Sequence, residues 1–214
     1  CYGQHPACRR LLIFDPAWLY ETGRREDFRR GLGSVSTQVY LKSVSGNFRG
    51  VSGHCAWNRT NGAVLVPDPD GNFEEALLIA HIPDIRLQSS VQGMVWNFPA
   101  SAQGEATLRL QIAGKGLRLS LCDRWFNPSD VTVEALAAFS TLLTRDEVSG
   151  GVWSTVSLRW DLEAGNAVLT AEGRTLRILP LQQQAPNGLC YLHLQSVATA
   201  DPQGSLIKWM EKRV

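Results

Sequence analysis

Two neighbouring stretches of the chain alternate between apolar and polar residues. In EATLRLQI (105–112) every second residue from Ala106 to Ile112 is apolar, and GLRLSLC (116–122) repeats the pattern with three leucines. A period of two places the apolar side chains on one face of an extended strand, whereas a helix would space them three or four apart. We therefore predict half-buried antiparallel strands in both stretches.

Most of the remaining chain has the same character. Further predicted strands are QVYLKSV (38–44), GAVLV (62–66), EALLIAHI (75–82), QGMVWNF (92–98), VWSTVSLRW (152–160), NAVLTAEG (166–173), RTLRILPL (174–181), LCYLHLQS (189–196) and SLIKWM (205–210). Gly-containing turns between strands predict tight hairpins at AGKG (113–116), EAGN (163–166) and AEGRT (171–175). Many short strands at this spacing are typical of a β-sandwich or a β-barrel.

Two segments are ambiguous. The charged segment WLYETGRREDFRRGLG (18–33) has room for a helical turn. In SDVTVEALAAFSTLL (129–143), Asp130 is a suitable helix N-cap and Leu136 and Phe139 have helical spacing, but 137–143 also fits a strand with Phe139 facing inward.

Length and charge limit the classes of protein. The 214 residues fit one domain, and no Pro/Gly/Ser-rich linker divides them, so we predict a sandwich at 35–214 and an extension packed on it at 1–34. Lys plus Arg number 21 against 20 for Asp plus Glu, and a net charge of +1 gives no reason to expect nucleic acid or an anionic membrane as a partner. No apolar run approaches the roughly 20 residues of a membrane-spanning helix.

The cysteines and histidines predict neither a disulfide framework nor a metal site. Five cysteines without a CxxC pair and four scattered histidines lack ligand spacing. We expect Cys122 and Cys190 to be buried thiols, and PDPDGN (67–72) to be a plain turn rather than a calcium loop. The opening CYGQHPACRR has no initiator Met and no signal-like segment, so we expect a piece of a longer protein, with a slight preference for the cytoplasm.

Candidate ligand contacts lie in loops that mix aromatic and polar residues. SLCDRWFNPSD (120–130) and SGHCAWNRTNG (52–62) contain the side chains that recognise sugars, because aromatic rings stack on C–H faces while carboxylates, amides and guanidinium groups bond hydroxyls. The predicted ligand-binding residues are Trp57, Trp125, Arg124, Asn127, Asp123, His54 and His193.

Each of these candidates also has a structural interpretation. Asp, Asn and Pro residues in a loop usually shape turns, and a histidine on a strand usually has a structural partner. Trp96, Trp153 and Trp160 lie within predicted strands, so we expect them in the core.

Catalysis has little support in the sequence. A glycoside hydrolase needs two carboxylates that flank one bond. Glu74 and Glu75 are adjacent and therefore point to opposite faces, and Asp123 and Asp130 straddle a proline loop. Nucleophile-elbow, zinc-protease and phosphate-loop motifs are absent, and we predict no cofactor.

Four stretches taken together resemble a known family: GHCAWNRTNGAVLVPDPDG, VQGMVWNFPAS, LSLCDRWFNP and GLCYLHLQSVATADPQGSLIKWMEK. They are similar to the concanavalin A-like (laminin-G-like) jelly-roll domain at the C-terminus of bacterial BNR-repeat, sialidase-like β-propeller proteins. The resemblance implies an all-β jelly-roll β-sandwich of two curved antiparallel sheets, and it favours a strand at 137–143 after a short irregular loop.

The same resemblance implies a function. It predicts an accessory, non-catalytic domain of a carbohydrate-active protein, which binds glycan or scaffolds a neighbouring β-propeller. The alternative is a jelly-roll glycoside hydrolase or polysaccharide lyase, and a third is a purely structural interaction domain with an exposed apolar patch.

Overall fold

In a computed structural model of the chain, the described residues form antiparallel strands and one helical turn. The described residues are 23–29, 31–37, 39–40, 55–56, 63–71, 74–83 and 91–213. The strands are β1 (Gly23–Glu26), β2 (Val35–Ser36), β3 (Val39–Tyr40), β4 (Cys55–Ala56), β5 (Val64–Pro67), β6 (Glu75–His81), β7 (Gly93–Ser101), β8 (Gln103–Ile112), β9 (Gly116–Cys122), β10 (Phe139–Thr144), β11 (Ser154–Asp161), β12 (Asn166–Ala171), β13 (Arg174–Pro180), β14 (Leu189–Ser196) and β15 (Asp201–Arg213), and the helical turn is α1 (Val133–Leu136).

Two antiparallel sheets pack face to face. An eight-stranded sheet has the order β13-β12-β11-β8-β15-β6-β5, with β1 also paired to β15, and a five-stranded sheet has the order β10-β9-β14-β7-β2. The long strand β15 pairs with β8 along one edge, and β6 and β1 share its other edge. This arrangement confirms the predicted all-β jelly-roll sandwich.

The alternating pattern sets which side chains face the core. In β8 the residues from Ala106 to Ile112 alternate between buried and partly exposed, as the sequence predicts. The apolar residues of both sheets meet in one hydrophobic core. Within it, the Phe98 ring lies 5.5 Å from the Trp96 ring and 5.9 Å from the Trp160 ring, measured between centroids.

The core tryptophans satisfy their indole N–H groups, as burial requires. Trp96 donates to the Ser34 hydroxyl at 3.2 Å, and Trp160 donates to the Ser101 carbonyl at 3.2 Å. The prediction of core packing is confirmed for these two. Trp153 is instead half-buried, and the Lys208 ammonium lies 5.5 Å from its ring centroid.

Three local predictions need correction. In 18–33, the described residues Gly23–Glu26 form strand β1, because they pair with the end of β15. In 129–143, α1 precedes strand β10, so both signals in that segment are real and the strand begins at Phe139. The turn at 113–116 is no hairpin, because β8 and β9 belong to different sheets and the chain crosses between them there.

The other two predicted turns are hairpins. EAGN joins β11 to β12, and AEGRT joins β12 to β13. Glu172 and Gly173 have φ of 48° and 75°, the conformation of a two-residue turn that matches strand twist. The predicted division at residue 34 stays a prediction.

The Phe98→Ala variant should be strongly destabilised, because it removes the ring between two buried tryptophans and leaves a cavity. We expect a loss of about 3–5 kcal/mol in the free energy of unfolding, measured by urea denaturation. Ile178→Ala is the matched control, because Ile178 is 66% exposed on β13, and it should change stability by less than about 0.5 kcal/mol. Equal losses in the two variants would contradict this account of the core.

Candidate functional site

The densest group of predicted site residues lies in one segment that folds back over a sheet. Strand β9 ends at Cys122, and residues 123–138, here called the covering segment, cross the outer face of the five-stranded sheet before β10 begins. That outer face carries the side chains that alternate with the core residues, among them Ser120, His193 and Gln195.

A row of aligned residues runs across this face beneath the covering segment. Strand pairing places Ser140 opposite Ser120, Ser120 opposite His193, His193 opposite Val95, and Val95 opposite Ser36. The Ser120 and Ser140 hydroxyl oxygens are 2.8 Å apart and hydrogen bonded. His193 is fully buried, although its side chain points away from the core between the sheets.

Hydrogen bonds from β14 hold the covering segment in place. The Gln195 side-chain amide donates to the carbonyls of Pro128 and Asp130, both at 2.8 Å. Close approach at this point requires Gly93, which lies opposite Gln195 on β7. A Cβ there would lie 2.7 Å from the Pro128 oxygen and 2.5 Å from the Leu194 oxygen.

Asn127 fixes the bend inside the segment. Its side-chain oxygen accepts the Ser129 backbone N–H at 2.9 Å and the Ser129 hydroxyl at 2.7 Å, which is an Asx-turn. Both side chains are buried. Asp130 forms a second Asx-turn three residues later, because its side chain accepts the Thr132 N–H at 2.9 Å and the Thr132 hydroxyl at 2.8 Å.

A small apolar cluster also secures the segment. Cys122, Val133 and Ala137 form a second buried cluster, with Phe126 and Tyr191 packed against it. The Phe126 ring meets His193 edge-on, with centroids 5.9 Å apart. Burial, with a further contribution from the Asp123 carboxylate, raises the pKa of the Cys122 thiol, so this cysteine behaves as an apolar residue.

The tip of the segment projects into solvent. Trp125 is 44% exposed, and it is the aromatic residue among the exposed large hydrophobics of the described residues. Beside it, the Arg124 guanidinium donates from Nε and Nη2 to the two Asp123 oxygens, at 2.9 and 3.3 Å. These hydrogen bonds raise the pKa of Arg124, and its charge stays on the surface because the side chain is 63% exposed.

Asp123 is connected to the neighbouring strand through its backbone. The Cys190 thiol donates to the Asp123 carbonyl at 3.4 Å. Burial, followed by the charge of Asp123, raises the pKa of Cys190 to about 11. Cys190 is partly exposed rather than buried, which corrects that sequence expectation.

His193 is held in the neutral form. Burial lowers its pKa to about 3, although the charge of Asp130 acts in the opposite direction. Neither ring nitrogen has a hydrogen-bond partner among the described residues. A buried imidazole without a partner pays the full cost of desolvation when it is protonated.

The structure thus divides the predicted site. Arg124 and Trp125 lie at the surface with the partly buried Asp123 beside them, whereas Asn127 and His193 lie beneath in the buried layer. His54 and Trp57 lie outside the described residues. Sequence reasoning missed Gln195 and Ser120, although the period-two pattern of LCYLHLQS already places Gln195 on the same face as His193.

The described part of PDPDGN, residues 67–71, contains a turn, as predicted, in which the Gly71 N–H donates to the Asp68 carbonyl at 3.0 Å. The Asp70 N–H bonds the Asp68 carboxylate at 2.9 Å, and the Lys208 ammonium lies 2.7 Å from Asp68 and 3.2 Å from Asp70. Within the described ranges, no group of three or more His, Cys, Asp or Glu side chains is arranged to hold a metal ion. The same ranges contain no helix long and apolar enough to cross a membrane.

Comparison with known proteins supports the fold at the structural level. The sequence matches no protein-family model and no curated protein sequence. A glycoside hydrolase family 16 endo-glucanase from Bacteroides ovatus is similar to this chain with a TM-score of 0.51 and 9% identity, over 87% of this chain and 98% of that one. The Emp46p carbohydrate recognition domain is similar with a TM-score of 0.51 and 10% identity, over 88% and 91%.

A sialidase is also similar, with a TM-score of 0.49 and 13% identity. The match covers 90% of this chain and 18% of the sialidase, so the chain spans less than a fifth of that protein. The comparisons therefore identify a jelly-roll β-sandwich of the kind found in family 16 hydrolases and lectin-type domains.

Replacing Asn127 by alanine should loosen the covering segment, because the buried Ser129 N–H and hydroxyl lose their acceptor. We expect about 1–3 kcal/mol of lost stability in urea denaturation, together with faster hydrogen exchange at 126–132. Asn187→Ala removes an exposed turn amide elsewhere and is the control. If Asn127→Ala left exchange in 126–132 unchanged, the Asx-turn would not be what holds the segment.

The buried His193 should make the protein less stable in mild acid. Since its folded pKa of about 3 lies below the ordinary value of 6.5, the unfolded chain binds the proton first, and stability falls as the pH drops below 6.5. The loss is at most about 1.4 kcal/mol per pH unit. Urea denaturation at pH 7.5, 6.5, 5.5 and 4.5 should show this slope, and His193→Leu should flatten it. An equal slope in wild type and variant would refute this assignment.

Proposed function

We propose that this chain is a non-catalytic carbohydrate-binding domain, with the tip of the covering segment as its principal sugar contact. The observation that carries the proposal is the partly exposed Trp125 ring on a segment that Gln195 holds to the sheet and whose bend Asn127 fixes. An aromatic ring costs free energy in water, and a ring held there by buried hydrogen bonds is best explained by a partner.

The chemistry of the tip suits a sugar ring. The indole face of Trp125 offers a flat apolar surface for the C–H groups of a pyranose, and the Asp123–Arg124 pair offers acceptors and donors for its hydroxyls. Because the segment is fixed before ligand arrives, little conformational entropy is lost on binding.

The buried residues of the predicted site act through this platform. Asn127 shapes the bend, and His193 supports Phe126 from below, so both position the tip rather than touch the ligand. We propose His54 and Trp57 as additional contacts on a second loop. The similarity to a carbohydrate recognition domain and to a family 16 endo-glucanase is compatible with a carbohydrate partner.

An accessory role is favoured because three of the four carboxylates singled out in the sequence already have structural partners. Asp123 pairs with Arg124, Asp130 caps Thr132, and Glu74 pairs with Arg29 at 3.0 Å. A hydrolytic pair needs one carboxyl group free to donate a proton and one free to accept or attack.

Scaffolding of a neighbouring β-propeller is the second candidate function. Val131 and Leu136 are 62% and 46% exposed, and like Trp125 they lie in the covering segment. Exposed apolar residues in one segment are typical of a surface that meets another protein. In this case the partner is the β-propeller that the resemblance to sialidase-like proteins implies.

Trp125→Ala should abolish glycan binding without unfolding the domain, because it removes an exposed ring and no core contact. We expect at least about a tenfold loss of affinity for the glycan that binds best on an array, measured by titration calorimetry. Trp125→Tyr should retain most of the affinity, since it keeps an aromatic face.

Arg124→Ala should weaken binding as well, and Arg174→Ala, an exposed arginine on β13, should not. The proposal fails if no glycan on the array binds, or if Trp125→Ala and Trp57→Ala bind as wild type. Hydrolysis of a polysaccharide that is lost in Asp123→Asn would establish the enzyme alternative instead.

A further inference from the structure

The outer face of the eight-stranded sheet contains a groove on the side of the sandwich opposite the covering segment. Its volume is about 540 Å³, within the range of small-molecule sites. The floor is formed by β8, β11 and β12, with Arg213 of β15 at one side and the β11–β12 turn, including Ala164, at the other.

Charged and amide side chains line the groove in two cross-strand rows. Strand pairing aligns Arg159, Glu105 and Arg213 in one row, and Asn166, Asp161 and Gln103 in the next. Two guanidinium groups and two carboxylates contribute no net charge. The groove therefore differs from an anion site, which concentrates positive charge, and from a cation site.

Part of this set is fixed and part is free. Asp161 accepts the Gln103 amide at 2.9 Å and the Ala164 N–H at 2.9 Å, and the Asn166 amide donates to the Ala164 carbonyl at 3.3 Å.

The free part of the set is the pair Arg159 and Glu105, since Arg213 in the same row donates from Nε and Nη2 to the Glu211 carboxylate, both at 3.1 Å. Arg159 and Glu105 lie opposite each other on neighbouring strands. Arg159 has no polar partner among the described residues, and Glu105 accepts only one hydrogen bond, from the Thr107 hydroxyl at 3.4 Å. A strong donor and a strong acceptor thus stand side by side with unused bonding capacity.

We propose that this groove is a second binding site, for a neutral oligosaccharide. A hydroxyl group both donates and accepts, so neighbouring sugar hydroxyls can bond Glu105 and Arg159 together, with Gln103 and Asn166 in the next row. Balanced charge disfavours a uronate or sulfated chain, which would meet Glu105 and Asp161. This site involves none of the residues at the Trp125 tip, so either site can exist without the other.

The test is a ¹H–¹⁵N NMR titration of the full chain with cellotetraose and, separately, laminaritetraose. We expect shift changes at Gln103, Ala164 and Asn166 with at least one of the two sugars. Arg159→Ala should lower the affinity obtained from these shift changes about tenfold, because it removes one charge-assisted hydrogen bond. Arg174→Ala, on the same sheet outside the groove, should leave them unaltered.

The two sites give separate readouts in the same titration. Trp125→Ala removes the Trp125 indole N–H signal itself, and it should leave the shift changes of the groove signals as they are in wild type, whatever the outcome for the tip. The groove proposal is overturned if neither tetrasaccharide moves its signals at millimolar concentration, if Arg159→Ala has no effect on them, or if only an oligogalacturonate moves them.

Discussion

The two hydrogen bonds from the Gln195 side chain to the Pro128 and Asp130 carbonyls decide what the five-stranded sheet presents to its surroundings. They draw the covering segment onto the polar face of the sheet, where Gly93 leaves room for it. Burial of His193 beneath and exposure of Trp125 above are two consequences of the same contact. The covering segment buries the polar row of this sheet face, and the His193 imidazole in that row has no hydrogen-bond partner among the described residues. The unsatisfied imidazole is a cost of holding the tip of the covering segment rigid.

The period-two pattern of the sequence predicted the strands well, but it did not predict that the covering segment lies over one sheet. GLRLSLC and LCYLHLQS became β9 and β14 over the same residues, because burial of one face fixes the register of a strand. Nothing local says that the other face is covered. Gln195 and Pro128 are 67 residues apart, and a contact at that separation leaves no signature in a window of neighbouring residues. The alternation of LCYLHLQS therefore puts His193 on the face opposite Leu192 and Leu194, but the burial of His193 on that face follows only from the structure.

The turn at 113–116 shows a related limit. Glycines predict that the chain bends, but not whether it returns to the same sheet or crosses to the other. Here the crossing is held by distant residues: Asp201 accepts the Lys115 N–H at 2.7 Å, and the Gly204 carbonyl accepts the Gly114 N–H at 2.7 Å. A side chain at Gly114 would collide with the Asp201 carboxylate, so that glycine serves a close approach rather than a hairpin. The two true hairpins needed only local turn chemistry, and the sequence predicted both.

The two outer faces of the sandwich offer different chemistry to the carbohydrate that we propose as the ligand of each. One is closed by its own chain and presents an aromatic ring with one ion pair, whereas the other is open and presents charge-balanced hydrogen-bonding groups. Two sheets lie about 10 Å apart and face opposite directions, so a short oligosaccharide cannot engage the tip and the groove together. Two separate sugar molecules, or one polysaccharide that passes around an edge of the sandwich, are therefore needed to occupy the tip and the groove at once. Two individually weak sites would raise the overall affinity of the protein for a polysaccharide surface through multivalency. They would give no such gain with a soluble tetrasaccharide.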